Sequence, residues 1–506
     1  MDYSGIIQNN LNSLTYFLPE IILAGLVCLL VISDLLLKKD KSPYNAFIAL
    51  AGLVVAFVAI LQQYNLGNRS IFNDMLVVDP FSLYFKVVFL ATAIVVIFLS
   101  FTSVELAGRP VGEYFTLIVA LTLGMSLLAS STNLLTIYIA IEFVSIVSFV
   151  LAAYLKTRRR SSEAGLKYAI YGAFSSGLML YGMSLLYGLT GSLNIYEIRN
   201  VLAGAASNEL ALLVSVILIL AGFGYKIASV PFHFWAPDVY EGAPTPVTAF
   251  LSVGPKAAGF AVLIRFFNVA LASGNGNGIT EWTFVSSIDW GQILAVVAAA
   301  TMTLGNLVAI VQKNMKRLLA YSSIAHAGYI LMGTVLLSEQ GIYASMFYLF
   351  IYYLMNLGAF LIVMIFHDVI GSENIEDYKG LGYRAPIPAL ALGVFLFALT
   401  GIPPTSGFIG KFYLFAAVVK AGPSFYWLAV VGIINSVISL YYYARVLKAM
   451  FIEKLEKETK ETTALRISPF YIVLIVILVV PTLVLGIYWA PLADFANYSV
   501  DFLRAL

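Results

Sequence analysis

Residues 211–237 read ALLVSVILILAGFGYKIASVPFHFWAP, and they give the clearest indication of the fold class. Its first part, 211–225, is almost wholly apolar on every side of a helix, which is typical of a segment surrounded by lipid or by other helices. A membrane β-strand would instead alternate apolar and polar residues over about ten positions. Lys226, Pro231 and Pro237 then interrupt the apolar run. The stretch therefore predicts a membrane-spanning helix that is broken at depth.

The rest of the chain has the same character. Of its 506 residues, 61% are hydrophobic and 11% are charged, with a mean hydropathy of +0.91, whereas soluble proteins carry about 25% charged residues. The net charge of +2 gives no nucleic-acid footprint. We predict an all-α polytopic protein, a single transmembrane domain over 1–506, with about 14 spans. The predicted spans are 17–37, 44–64, 79–101, 113–130, 132–155, 164–188, 208–236, 246–271, 291–311, 318–338, 343–367, 388–420, 425–447 and 470–490.

Lysine and arginine fall unevenly between alternate loops. Of 29 such residues, 18 lie in loops after odd-numbered spans and four on the other side. Because cytoplasmic loops carry the excess of basic residues, both termini are expected to face away from the cytoplasm. The 18 are Lys38, Lys39, Lys41, Arg109, Lys156, Arg158, Arg159, Arg160, Lys313, Lys316, Arg317, Lys379, Arg384, Lys448, Lys454, Lys457, Lys460 and Arg466, and the four are Arg69, Arg199, Lys420 and Arg504.

The remaining seven basic residues lie inside predicted spans, where each charge costs about 2.5–3.5 kcal/mol on insertion scales. Lys167, Arg265 and Arg445 are close enough to span ends to extend towards water, and Lys86 could be of either kind. Three lysines and one glutamate are too deep for that. These four are Glu142, Lys226, Lys256 and Lys411.

A second broken span supports an internal repeat. Residues 397–415, FALTGIPPTSGFIGKFYLF, place a proline pair just before Lys411. Glu142 precedes Lys226 by 84 residues, and His326 precedes Lys411 by 85. Spans 4–8 (113–271) and 9–13 (291–447) are thus predicted to be two inverted five-helix repeats, after spans 1–3 (1–112) and before span 14 (470–490). Coincidence of spacing is the alternative.

Buried lysines beside a carboxylate suit proton movement, because burial penalises the ammonium charge and the carboxylate restores it. Glu142 and Lys226 are expected to form such a couple, with Lys256, His326 and Lys411 continuing a relay. His233, His326 and Lys167 are secondary relay candidates, while His367 is expected to be interfacial. The single cysteine, Cys28, excludes an iron–sulfur or zinc site built by this chain alone.

Three segments resemble the antiporter-like membrane subunits of respiratory complex I, and the resemblance extends over nearly the whole chain. They are PFHFWAPDVYEGAPTPVTAFLSVGPKAAGF (231–260), KRLLAYSSIAHAGY (316–329) and GIPPTSGFIGKFYLF (401–415). Within this family, lysine followed by Phe-Tyr at Lys411 is similar to the N branch of bacterial NADH-quinone oxidoreductases and to subunit 2 of mitochondrial and plastid relatives. The M branch carries glutamate there, and the L branch continues into a long lateral helix.

The resemblance implies a proton-translocating function. The family pairs the glutamate matched by Glu142 with the lysine matched by Lys226, links two half-channels at Lys256, and opens outwards at Lys411. It implies NADH and quinone as substrates of the whole complex, FMN and iron–sulfur clusters in partner subunits but no cofactor in this chain, and subunits M and K as neighbours. A subunit of a multisubunit sodium/proton antiporter is the alternative; a purely scaffolding role conflicts with the insertion cost of deep lysines.

Overall fold

The computed structural model describes residues 3–36, 43–64, 66–107, 111–204, 208–274, 282–453 and 464–500. These ranges are mainly helical, with two small antiparallel hairpins, β1–β2 and β3–β4. The elements are α1 (Tyr3–Tyr16), α2 (Leu18–Leu36), α3 (Pro43–Gln63), β1 (Arg69–Ile71), β2 (Leu76–Val78), α4 (Pro80–Thr102), α5 (Gly112–Ser130), α6 (Leu134–Ala152), α7 (Arg159–Thr190), α8 (Ile195–Gly204), α9 (Glu209–Ile227), α10 (Trp235–Gly242), α11 (Thr245–Ala270), β3 (Ala272–Gly274), β4 (Trp282–Phe284), α12 (Trp290–Ile310), α13 (Met315–Thr334), α14 (Glu339–Ile370), α15 (Leu381–Arg384), α16 (Pro386–Thr400), α17 (Ser406–Lys420), α18 (Tyr426–Phe451), α19 (Pro469–Val484) and α20 (Ala490–Val500).

Eight of the predicted loop charges lie outside the described residues. They are Lys38, Lys39, Lys41, Arg109, Lys454, Lys457, Lys460 and Arg504.

The predicted all-α membrane fold is confirmed. Within the described ranges, 11 helices are long and apolar enough to cross a membrane, and α16 and α19 are shorter apolar helices. The three other predicted spans correspond to α13, to α16 with α17, and to the 16-residue α19. The count of 14 therefore stays a prediction.

Both predicted helix breaks are present. The first lies between α9 and α10, where Ala228 adopts a left-handed conformation (φ 58°) at the end of α9. The second lies between α16 and α17, where Gly401 (φ 90°) ends α16. Lys226 is in the last turn before the first break, whereas Lys411 is the sixth residue after the second. The two lysines therefore occupy different positions relative to their breaks.

Matching features about 180 residues apart support the internal repeat. Asn133 and Asn314 cap the N-termini of α6 and α13 and form isolated bridges with Asn194 and Asn374. The helices α7 and α14 both have 32 residues and both end at a glycine in the left-handed conformation. Such glycine caps satisfy the free carbonyls at the end of a helix.

This correspondence corrects the pairing suggested by spacing alone. His326 lies 12 residues after Asn314, as Ser145 lies 12 after Asn133, so His326 matches Ser145 rather than Glu142. The residue nine after Asn314, which matches Glu142, is Ser323. The similar spacings of the two pairs do not identify matching positions, because Lys226 and Lys411 lie on opposite sides of their breaks.

The centre of the molecule is formed by α11 and α14, which pack against each other. Every residue of α11 is buried, including its two basic residues. A helix that is apolar all round and covered by others is typical of the middle of a bundle. Any ionisable group on α11 therefore depends on the helices around it for partners.

Candidate proton path

The first deep lysine lies at the end of α9. Lys226 is 1% exposed, and its ammonium donates a hydrogen bond to Ser145 Oγ on α6 at 3.2 Å. The break directly after α9 brings the last turn of this helix against α6 and α11. The lysine is thereby held inside the bundle, where an ionisable residue is costly and usually functional.

Glu142 lies one helical turn before Ser145 on α6. No ion pair joins it to Lys226 among the described residues, so the expected couple is not in direct contact. Glu142 is half-buried, and its buried Oε1 has no hydrogen-bond partner among the residues that the structure describes. The Lys226 ammonium therefore contacts the Ser145 hydroxyl directly, instead of the Glu142 carboxylate that was predicted from the sequence.

Lys226 approaches the central helix α11 at a glycine. A Cβ atom on Gly259 would lie 3.2 Å from both Cβ and Cγ of Lys226 and 2.8 Å from a methyl group of Ile227. Gly259 is three residues from Lys256, on the same side of α11. The absence of a side chain at this position lets α11 pack directly against the stem of Lys226.

Lys256 joins the two predicted repeats. It is 3% exposed, and its ammonium donates to Ser323 Oγ on α13 at 2.5 Å. It also lies 5.5 Å from the centre of the Tyr240 ring, within the range of a cation–π contact. Ser323 accepts a second hydrogen bond, from the hydroxyl of Tyr352 on α14 at 2.8 Å.

His326 lies one turn beyond Ser323 and is surrounded by tyrosines. Its Nδ1 is 2.7 Å from the hydroxyl of Tyr348, and its Nε2 is 3.5 Å from that of Tyr443. The ring of Tyr352 is 5.3 Å away, between ring centres. Both ring nitrogens thus face groups that can donate or accept a proton.

Lys411 lies at the other end of the candidate proton path. Its ammonium donates to the Thr400 carbonyl at 2.8 Å and to Ser436 Oγ at 2.9 Å, and lies 4.4 Å from the centre of the Tyr329 ring. The second break creates this site, because it frees the carbonyl of Thr400 at the end of α16. We refer to Lys226, Lys256, His326 and Lys411 as the buried row.

Of the secondary candidates, His326 belongs to the buried row, whereas Lys167 and His233 lie outside it. Lys167, with 39% of its side chain exposed, forms ion pairs with Asp238 at 2.7 Å and Glu163 at 2.8 Å. Burial alone would raise the pKa of Asp238, but hydrogen bonds from Lys167 and Arg317 hold it below its ordinary value. His233 lies in the first break, and its buried Nδ1 has no hydrogen-bond partner within the described ranges.

The prediction that Arg265 extends to water is wrong. Arg265 is buried and forms a two-fold ion pair with Asp79, with distances of 2.8 and 3.0 Å, as well as hydrogen bonds to the Ala129 carbonyl. Lys86 is also buried, 2.7 Å from Glu20. Neither ion pair includes a residue of the buried row. One joins α2 to α4 and the other joins the N-cap of α4 to α11, which indicates a role in packing these three helices.

One further cluster has the composition of a cation site. Ligand atoms of Glu105, His367 and Glu373 lie within 4.8 Å of one another. The Lys316 ammonium is 3.3 Å from Glu373 and donates to the Ala243 carbonyl at 2.8 Å. This lysine already supplies positive charge to the cluster.

The hydroxyl groups of the path were not predicted from the sequence. Among the described residues, five of them contact the buried row, those of Ser145, Ser323, Tyr348, Tyr443 and Ser436, and Tyr352 in turn donates to Ser323. Serine and tyrosine are common in apolar helices, so nothing in the sequence distinguishes these five. The repeat could have found Ser323, because counting from the capping asparagines places it opposite Glu142.

Comparison with known proteins places this geometry in a family. Residues 131–439 match the family described as "NADH:quinone oxidoreductase/Mrp antiporter, TM", more than half of the chain. The chain belongs to the NADH:quinone oxidoreductase/Mrp antiporter family. The match spans both helix breaks and the whole buried row, so the path described above lies within the part shared by this family.

Individual members of the family extend the likeness to nearly the full chain. A relative in Chloroherpeton thalassium, named NADH-quinone oxidoreductase subunit N 2, is 46% identical over 97% of this chain and 95% of its own. Among solved structures, respiratory complex I from Thermus thermophilus with bound aureothin has a chain with 31% identity and a TM-score of 0.76, covering 95% of this chain and 99% of that one. The Mrp complex of Dietzia has a chain with 21% identity, a TM-score of 0.81 and coverage of 97% and 98%, and shares the fold.

Proposed function

We propose that this chain is a proton-translocating membrane subunit of a complex I-type NADH-quinone oxidoreductase, the counterpart of subunit N. The observation that carries the proposal is the buried row, in which three lysines and a histidine cross the bundle inside a protein family of this kind. Each deep cation costs about 2.5–3.5 kcal/mol on insertion scales. Three such lysines together with a histidine in the centre of the bundle are better explained by charge movement than by stability.

The contacts support a stepwise transfer of protons. Within the part of the chain that the structure describes, Lys226 and Lys256 have hydroxyl partners rather than carboxylate partners, so no described group in direct contact neutralises their charge. In a low dielectric, such an ammonium is sensitive to any charge that approaches or leaves. Glu142, one turn from the contact of Lys226, is the group whose protonation would change that balance. The row can therefore pass protons from Lys226 towards Lys411.

The chemistry of electron transfer belongs to other subunits in this proposal. NADH oxidation through FMN and iron–sulfur clusters, and reduction of quinone, occur in partner subunits, and this chain performs no redox catalysis. Its membrane neighbours are expected to resemble subunits M and K. Lys411 lines a groove of about 310 Å³ on the outside of the bundle, which is consistent with a neighbour covering that side.

We also propose the bacterial inner membrane as its location, with both termini on the periplasmic side. The support is the distribution of 18 basic residues against four between alternate loops.

Substitution of the first couple tests the proposal. Lys226→Ala and Glu142→Ala, each in the assembled complex, are expected to lower proton pumping coupled to quinone reduction by about tenfold or more, because each removes a proton-carrying group. Pumping is measured in vesicles with a pH-sensitive dye. The control is Lys448→Ala, whose lysine side chain is 60% exposed and pairs with Glu453. Unchanged pumping in both test variants would contradict the proposal.

The alternative is a subunit of a multisubunit sodium/proton antiporter, which has the same fold. Purification in mild detergent separates the two, because the proposed complex should retain NADH dehydrogenase activity with this chain. Sodium-dependent antiport in a purified assembly without NADH oxidation would favour the alternative.

A further inference from the structure

His326 differs from the lysines of the buried row in having two ring nitrogens, each of which faces a tyrosine hydroxyl. Nδ1 lies 2.7 Å from the hydroxyl oxygen of Tyr348 on α14, and Nε2 lies 3.5 Å from that of Tyr443 on α18. The histidine is 1% exposed. Among the described residues, these two hydroxyls are therefore the hydrogen-bond partners of the ring, whatever its charge.

In the neutral ring, Tyr348 is the donor. Its hydroxyl has no second hydrogen-bond partner among the described residues, and a buried O–H that faced an N–H would leave its own proton unpaired. The Tyr348 O–H thus points at Nδ1, and the ring carries its proton on Nε2. The Tyr443 oxygen can accept from Nε2 while it also bonds to Ser322, at 2.5 Å.

A second proton, on Nδ1, requires the same partner to become an acceptor. A carbonyl can only accept and an ammonium can only donate, whereas a hydroxyl does either. When Tyr348 turns its O–H away, its oxygen accepts from the new N–H group. The O–H then loses its own partner, which costs less than an unpaired N–H on a charged ring, because hydrogen bonds of charged groups are stronger. The charged ring is thus stabilised without being trapped.

The ring of Tyr348 is held in place while its hydroxyl turns. A Cβ atom on Gly410 would lie 2.5 Å from Cδ2 of Tyr348, so the aromatic ring rests against the backbone of α17. Gly410 directly precedes Lys411. Because rotation about the C–O bond moves the hydrogen alone, the change of partner needs no movement of this packed ring.

The charges around His326 make such stabilisation necessary. Lys256 on α11 and Lys411 on α17 both act on the ring, and both oppose a further positive charge. In the described part of the chain no carboxylate contacts the ring, so hydroxyl oxygens are the groups left to stabilise it. The other titratable groups that face the ring are Tyr329 on its own helix, Tyr348 and Tyr352 on α14, and Tyr443 on α18.

We propose that Tyr348 is a positioning residue that lets His326 take up and release a proton without leaving a charged N–H group unpaired. The inference deepens the proposed function and rests on it, because the proton is the one that moves along the buried row. On uptake one N–H bond forms at Nδ1, and on release the same bond breaks. Tyr348 keeps its own proton in both states.

Tyr348→Phe in the assembled complex tests the inference, because it removes the hydroxyl and keeps the ring. Proton pumping coupled to quinone reduction is expected to slow by about tenfold or more, since a hydrogen bond to the charged ring is lost. Tyr443→Phe is expected to cause a smaller loss, because its contact of 3.5 Å is at the limit of a hydrogen bond. The matched control is Tyr114→Phe, at a fully buried tyrosine whose hydroxyl lies 2.8 Å from Ser100 Oγ, outside the buried row.

The pH profile separates this role from simple packing. The deficit of Tyr348→Phe, measured per amount of assembled complex, is expected to shrink as the pH is lowered, because a higher proton concentration fills a weakened site. A loss of the same fraction at every pH would overturn the inference. If Tyr348→Phe does not assemble, Tyr443→Phe decides by the same profile.

The outcomes also separate the inference from the proposed function. Normal pumping in Tyr348→Phe, together with loss of pumping in Lys226→Ala, would overturn the role of Tyr348 alone. Normal pumping in Tyr348→Phe, Lys226→Ala and Glu142→Ala would overturn the proposed function as well.

Discussion

At the scale of single residues, the path depends as much on a missing side chain as on the charged ones. Gly259 sits where α11 meets Lys226, and the space for a Cβ is already occupied by Ile227 and by the lysine stem. Overpacking a core position costs about 1–3 kcal/mol. The side chains of Ile227 and Lys226 must both move to make room, and movement of the lysine would take its ammonium away from Ser145.

Gly259→Ala is therefore expected to lower coupled proton pumping while the complex still assembles. The measurement is the pumping rate per amount of assembled complex, determined on native gels. Gly177→Ala is the control, since a Cβ at Gly177 in α7 meets nothing within 4 Å. In that variant, alanine has less conformational freedom than glycine in the unfolded chain. The stability is therefore expected to rise by about 0.5–1 kcal/mol, with pumping unchanged. Normal pumping in Gly259→Ala would show that the lysine tolerates displacement.

At the scale of elements, the start of α11 is fixed by a carboxylate from another part of the chain. Glu105, in the turn after α4, accepts a hydrogen bond from the Thr245 backbone N–H at 2.7 Å and pairs with Arg158 at 2.8 Å. Burial would raise the pKa of Glu105, but the Lys316 charge and the hydrogen bond from Thr245 outweigh burial and lower it. The carboxylate thus stabilises the N-terminus of the central helix.

Glu105→Gln is expected to lower the free energy of unfolding by about 1 kcal/mol, because the amide oxygen still accepts a hydrogen bond but lacks the charge that strengthens the bonds from Thr245 and Arg158. Because folding lowers the pKa of Glu105, the stabilisation is present above about pH 4.5 and is lost as the pH falls through the lower, folded-state value. Thermal unfolding in detergent at neutral and acidic pH measures both effects. Glu113→Gln, at an exposed position of α5, is the control. Equal unfolding temperatures for the two variants at neutral pH would refute this role.

At the scale of the whole molecule, the orientation in the membrane follows from charge. The breaks and the buried row have a direction across the membrane only when the sides are known. The single cysteine, Cys28 in α2, makes labelling practical because its replacement leaves a chain without thiols.

In a Cys28→Ala background, Gln8→Cys is expected to react with a membrane-impermeant maleimide applied to intact spheroplasts. Ser162→Cys, near the start of α7, is expected to react only after the membrane is opened. Both positions are exposed in the structure, so the difference reports the side of the membrane. The reverse pattern would place the termini in the cytoplasm and invert the proposed direction of the path.

The sequence alone determined the class of fold, the two helix breaks and the deep basic residues. Composition, the length of apolar runs and the position of proline are local properties, and the bilayer and the backbone act on them directly. A lysine in the middle of an apolar run is recognisable without knowing its neighbours.

Which side chains contact each other depends on the tertiary structure. Lys226 contacts Ser145 rather than Glu142, Arg265 pairs with Asp79 rather than reaching water, and Ser323, not His326, matches Glu142 in the second repeat. These contacts join residues up to 186 positions apart. They depend on helix rotation and on where a break ends a helix, because a side chain's direction changes by about 100° with each residue. A shift of three residues, invisible in a spacing of 84 or 85, therefore changes which side chain belongs to the path.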